Sequence, residues 1–148
     1  MKLKNTALSI ALLLSAGASS VLAGDANWLT DFEQAKKVAA EKNLPILVDF
    51  SGSDWCGWCI KLDNEVFSTR EFAEYAEKNL VLFLADFPNQ KAQPESVKKQ
   101  NQALSEKYEV KGFPTVLILD ASEKELNRTG YKSGGGAAYV KHLNDLIK

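Results

Sequence analysis

The 148-residue sequence is poor in the residues that build metal centres: it has one histidine, two cysteines and a single methionine, the initiator. A structural zinc site takes about four ligands, usually two pairs drawn from Cys and His, and copper(I) sites recruit thioether sulfur as well. His142 alone, far along the chain from Cys56 and Cys59, supplies neither set, so the composition argues against a metal, and no other cofactor is implied. Neither sign of charge is in excess, with 18 basic and 19 acidic residues, which argues against nucleic acid or an anionic membrane surface as the main partner. Internal repeats and a composition break that would mark a second domain are also absent.

Apolar runs long enough to span a bilayer are missing too. The longest, Ala7 to Leu14, falls short of the roughly 20 residues that spanning needs. It follows Lys2 and Lys4 and leads into small residues ending Val21-Leu22-Ala23, the three-part pattern of a secretory signal. The reading is a signal peptide over residues 1–23, cleaved after Ala23, with no membrane insertion of the product and no lipid anchor, since no cysteine stands at the cut. Residues 24–148 then form one domain, with 16 basic against 19 acidic residues, large enough to bury a core without disulfide support.

Along that domain, Thr30-Asp31-Phe32-Glu33 fits a capping box, with Thr30 as the cap of a helix carrying Phe32, Ala35, Val38 and Ala39 on one face as far as Asn43. Residues 45–50 (PILVDF) and 81–86 (VLFLAD) are apolar runs without alternation, as in strands buried on both faces. Cys56 to Leu62 opens a second helix, continued after a cap at Ser68-Thr69. A third helix begins at Pro94-Glu95-Ser96 and places Val97, Leu104 and Tyr108 on one side. Thr115 to Leu119 is a third strand, Glu125 to Tyr131 a more polar edge strand, and Gly134 to Gly136 a flexible break before a last amphipathic helix. Alternation of helix and strand gives parallel pairing early, and the short final connection makes an antiparallel hairpin. The expected architecture is α/β, a mixed central sheet of about four strands with helices on both faces.

The two cysteines lie in SDWCGWCIKL, and export makes a disulfide their default state. As a staple, however, so short a loop contributes only at the low end of the roughly 0–5 kcal/mol range. Placed where a turn enters a helix, Cys56 meets unpaired backbone N–H groups and the positive end of the helix dipole, which favour the thiolate and make it the candidate nucleophile. Cys59, three residues on, lies within bonding reach and can resolve a mixed disulfide. Asp49, a carboxylate inside an apolar strand, must be paired, capped locally or held neutral; facing the cysteines, it would exchange a proton with Cys59. Trp55 and Trp58 read either as ordinary aromatic packing or as a peptide-binding surface. Lys61 and His142 read as solvent-facing helix residues.

Taken together, ILVDF followed by WCGWC, then GFPTVLIL some fifty residues later and Gly130 ahead of an amphipathic helix, resemble the thioredoxin superfamily over nearly the whole of residues 24–148. The run CIKLDNEVFSTREFAEY resembles its exported, periplasmic thioredoxin-like subgroup. The resemblance implies a thioredoxin-like fold, a dithiol–disulfide centre with Cys56 attacking and Cys59 resolving, Asp49 as the buried carboxylate, and a cis-proline at Pro114 facing the site. Phe113 would then offer backbone groups to an extended substrate. The sequence departs from thioredoxin in having Gly57-Trp58 between the cysteines, one extra residue between Asp49 and Cys56, and no lysine in LVLFLADF. The function implied is exported thiol–disulfide exchange on protein disulfides or thiols, reductase or isomerase, with a membrane thiol–electron donor as a further partner and a periplasmic or secreted location. The alternative is a non-catalytic binding module of the same fold with a permanently closed disulfide.

Overall fold

A computed structural model describes residues 26–148, so the expected signal segment lies outside the described residues. Its sheet has five strands, β1 (Trp28–Leu29), β2 (Ile46–Ser51), β3 (Val81–Asp86), β4 (Thr115–Leu119) and β5 (Glu125–Thr129), in the order β1-β3-β2-β4-β5. β3 runs parallel to both β1 and β2, whereas β4 is antiparallel to β2 and to β5. β1 was not expected, because two residues are too few to display a period of two. The helices are α1 (Phe32–Lys42), α2 (Gly57–Leu62), α3 (Arg70–Asn79), α4 (Glu95–Lys107) and α5 (Gly135–Leu146), with a π-helical turn at Asp63–Phe67 after α2.

β2 is buried along its whole length, as an apolar run without alternation requires. Its side chains divide by the period of two. Ile46, Val48 and Phe50 pack with Phe32, Ala35, Leu104 and Tyr108 of α1 and the α4 end. Leu47 faces the opposite layer with Leu62, Val66, Phe72, Tyr139 and Leu143, the inner side chains of α2, the π turn, α3 and α5. Each fully buried aliphatic or aromatic side chain contributes roughly 1.5–3 kcal/mol. The same alternation sends Asp49, two residues beyond Leu47, into the layer roofed by α2.

Local chemistry corrects several expectations. Asp31, not Thr30, caps α1 by accepting from the Gln34 N–H. The Phe32 N–H goes to Gln100 of α4, which also donates to the Thr30 carbonyl, while Glu33 pairs with Lys36. A long-range side chain thus replaces the capping box. Asn43 does end the helix, in the left-handed conformation at φ 53° with its N–H on the Ala39 carbonyl. Val97 is only half-buried, and the inner position on α4 goes to Asn101, whose amide donates to the Asp86 carbonyl. His142 is only partly exposed: its Nε2 is 2.8 Å from Thr129 Oγ1 and its ring meets Tyr139 edge-on. The expected glycine break is part of a helix end, Gly134 capping α5 and Gly135 and Gly136 forming its first turn, with Gly136 so close to Thr69 that a Cβ there would sit 1.9 Å from the hydroxyl oxygen.

Candidate active site

β2 ends at Ser51 and the chain turns through Gly52-Ser53-Asp54-Trp55 before α2, a turn closed by the Cys56 N–H on the Gly52 carbonyl at 2.8 Å. Cys56 is the N-cap of α2, extended at φ −84°, ψ 103°, and its sulfur accepts the Cys59 N–H at 3.2 Å. Ser, Thr, Asp and Asn satisfy free N–H groups in this way at ordinary helix starts; here sulfur takes that place. The two sulfurs are joined in a disulfide with Cα atoms 5.2 Å apart, and both residues are buried, Cys56 at 7% exposure and Cys59 at 3%. The peptide bond from Phe113 to Pro114 is cis.

Asp49 is 6% exposed, and its Oδ1 has no hydrogen-bond partner. Burial pushes its pKa up to about 8, with Asp63 of the π turn and Asp86 at the end of β3 adding repulsion. Tyr139 of α5 is pushed above its ordinary range, chiefly by burial and further by the Asp49 charge. Asp49 therefore lies between sheet, π turn and α5 on the side roofed by α2, neutral at pH 7, and is not capped by local backbone groups. Among the described residues, no group of three or more Cys, His, Asp or Glu is arranged to hold a metal ion.

Two aromatic flanks frame the disulfide. On one, Trp55 donates from Nε1 to the Phe87 carbonyl at 2.7 Å, and Phe113 stacks on Phe87 at 5.0 Å and meets Trp55 edge-on at 6.0 Å. Gly52 is required beneath Trp55, since a Cβ there would lie 2.4 Å from the indole. On the other flank, Trp58, 58% exposed, packs against Tyr131 at 5.1 Å, and the Lys61 ammonium stands 5.2 Å and 5.3 Å from the two rings. Tyr131 donates to Glu65 at 2.6 Å. Lys61, expected to be a plain solvated residue, is thus part of this flank. The turn is further tied to the β3–α4 loop by Asp54, whose carboxylate accepts the N–H groups of Asn89, Gln90 and Lys91 and is held below the ordinary carboxylate range by them. Ser53 donates from both its N–H and Oγ to Asp86.

Phe87, Tyr131, Glu65 and Asp54 were not singled out from the sequence. Asp54, in a Ser-Gly-Ser-Asp turn, carried a readable signal, because Asp in turns seeks backbone N–H groups. Phe87 and Tyr131 carried none, lying more than thirty residues from the tryptophans they meet, and Glu65 meets Tyr131 across a similarly long separation.

A Cys-x-x-Cys disulfide at the start of a helix, on a mixed sheet covered on both faces, defines a class: thiol–disulfide oxidoreductases of thioredoxin-like fold. The family model described as Thioredoxin-like domain matches residues 32–145, and the chain belongs to that family. It is 37% identical over 128 residues to the disulfide bond reductase DsbH of Chlamydia pneumoniae, covering 86% of this chain and 76% of that protein. The thioredoxin-related protein DsbJ of the same organism is 30% identical over 128 residues, but there the match spans only 37% of the relative. Among solved structures, a DsbH oxidoreductase superposes with a TM-score of 0.80 at 37% identity, covering 84% of this chain and 86% of that one.

Proposed function

We propose that the protein is exported to the periplasm or secreted, and that it reduces disulfides in protein substrates. The observation that carries the reading is Cys56 Sγ accepting the Cys59 N–H at a helix start, an arrangement that stabilises a thiolate there. Resemblance to a disulfide bond reductase over most of the chain supports the reductive direction over isomerisation, and the N-terminal pattern over residues 1–23 supports export.

The reaction starts from the dithiol. The Cys56 thiolate attacks one sulfur of the substrate disulfide, forming a mixed disulfide and releasing the other sulfur as a thiolate. In the minority of molecules whose Asp49 is ionised at neutral pH, Cys59 gives its proton to that carboxylate, and its sulfur attacks Cys56 Sγ, releasing the second substrate thiolate and leaving the enzyme disulfide. Asp49 is then protonated, the state its elevated pKa favours in the disulfide form. When a donor thiolate later attacks Cys56, the same proton meets the departing Cys59 sulfur, and a membrane thiol–electron donor suits that step. Trp55, Trp58, Phe113 and the cis Pro114 form the face that meets the substrate chain.

Replacing Cys59 with Ser removes the resolving sulfur. The variant should accumulate adducts through Cys56, visible on non-reducing gels of the native compartment and lost with dithiothreitol. Absence of such adducts at normal expression would sink the proposal. Equilibration in glutathione buffers should place the pair between about −270 and −120 mV, the span of active Cys-x-x-Cys centres, whereas a value below about −300 mV would mark an inert staple.

A further inference from the structure

At the end of β5, Thr129 pairs with Val116 of β4, which also pairs with Asp49 of β2. The next residue, Gly130, lies so close to Pro114 that a Cβ on it would sit 3.2 Å from the Pro114 carbonyl oxygen. With no side chain between the two backbones, where Gly130 stands decides where Pro114 can stand. The hold on Gly130 comes from α5. Tyr139, 1% exposed, sends its hydroxyl to the Gly130 carbonyl at 3.0 Å. One turn on, His142 Nε2 lies 2.8 Å from Thr129 Oγ1, so one face of α5 pins two consecutive residues at the end of β5. Packing alone would be served by phenylalanine, since the Tyr139 ring sits in an apolar layer and meets Phe67 edge-on at 6.0 Å. A buried tyrosine hydroxyl needs a partner, and this one has taken the backbone beside Pro114, while Asp49 Oδ1, in the same layer, has none.

We infer that Tyr139 is a positioning residue that fixes, through Gly130, where the Phe113-Pro114 segment stands against the substrate chain. The inference rests on the oxidoreductase reading above, in which that segment meets the substrate. The segment is closed from within by Thr115, whose Oγ1 donates to the Gly112 carbonyl at 2.7 Å, so it moves as a piece and its placement falls to Gly130. Hydrogen bonds to an extended backbone form over a donor–acceptor range of only about 0.5 Å, so a small displacement weakens them. Two sulfurs can still meet. A protein disulfide therefore depends on Tyr139, and a small disulfide does not.

The test is Tyr139→Phe, which keeps the ring and removes the hydroxyl. It is assayed on insulin turnover with dithiothreitol as donor, and on single-turnover reduction of a small aryl disulfide by the pre-reduced protein. KM for insulin should rise about fivefold, the order set by one lost hydrogen bond, with kcat and the small-disulfide rate within about twofold of wild type. The pH profile of the small-disulfide reaction should not move, which separates a displaced segment from a changed Asp49. Gly130→Ala keeps the hydroxyl but forces Pro114 aside by a few tenths of an ångström, and should raise KM as well. The double variant should fall short of the product of the two effects; fully multiplicative effects overturn the inference, since the two residues would then act separately. An unchanged KM for Tyr139→Phe overturns it too, as does an equal loss on both substrates, because the hydroxyl then serves only its own burial. Wild-type protein that reduces neither substrate overturns the oxidoreductase reading itself, a result distinct from an unmoved KM.

Discussion

Replacing Asp49 with Asn should change how the stability of the disulfide form depends on pH. In the unfolded chain the carboxyl titrates near 3.8, and in the folded chain near 8. Below pH 4 both states hold the proton; between those values only the folded state does, so rising pH stabilises the unfolded chain. Each pH unit in that window then removes about 1.4 kcal/mol, and the accumulated cost at pH 7 is about 4 kcal/mol. Above pH 8 the folded state loses its proton as well, and the decline levels off. Asn keeps the shape of the neutral acid and has no proton to lose. The assay is urea unfolding of wild type and Asp49→Asn at intervals from pH 5 to 8, followed by tryptophan fluorescence. Other carboxylates cancel in the difference between the two proteins, which should move by about 3 kcal/mol between pH 5 and pH 7, with the variant increasingly favoured. Parallel curves would refute the reasoning, because they would mean that Asp49 ionises normally and is not an unpaired buried acid.

The same substitution should slow reduction of the enzyme disulfide by a donor thiol, with the largest effect below about pH 8, where Asp49 holds its proton; stopped-flow rates expressed per donor thiolate test this. Gly52→Ala should displace the Trp55 indole, seen as a shifted emission maximum, and lower activity toward protein disulfides without unfolding the domain. Asp54→Ala should accelerate hydrogen exchange at the amides of Asn89, Gln90 and Lys91 while leaving the β2 amides protected, as mass spectrometry of the exchanged protein would show. Leu62→Ala, at a fully buried position roofing the Asp49 layer, should cost about 2–5 kcal/mol in chemical denaturation.

The architecture was legible because the apolar runs at residues 46–50, 81–86 and 115–119 are buried on both faces and hold no competing pattern. β1 was not, since two residues paired only through β3 depend on a neighbour more than fifty residues away. Helix starts followed the same division. Thr69 caps α3 through a local bond and was readable, while α1 takes its second cap from Gln100, which no local motif announces. At the site, Cys56, Cys59 and Asp49 stood out because each is unusual for its surroundings. Phe87, Tyr131 and Glu65 are ordinary residues for theirs; Phe87 and Tyr131 reach the site through loop packing, and Glu65 through the π turn that follows α2.

The bonds from Ser53, Asp54 and Trp55 to Asp86, Phe87 and residues 89–91 make two loops, separated by some thirty residues of chain, into one mechanical unit. The redox turn therefore inherits its stiffness from the β3–α4 loop, and a length change around residues 88–93 would reach Cys56 without touching a single residue of the WCGWC segment. Variation among chains built this way has two separate handles: the residues between the cysteines act on the sulfur chemistry, and the distant loop sets how firmly the reactive turn is held and what it is held beside.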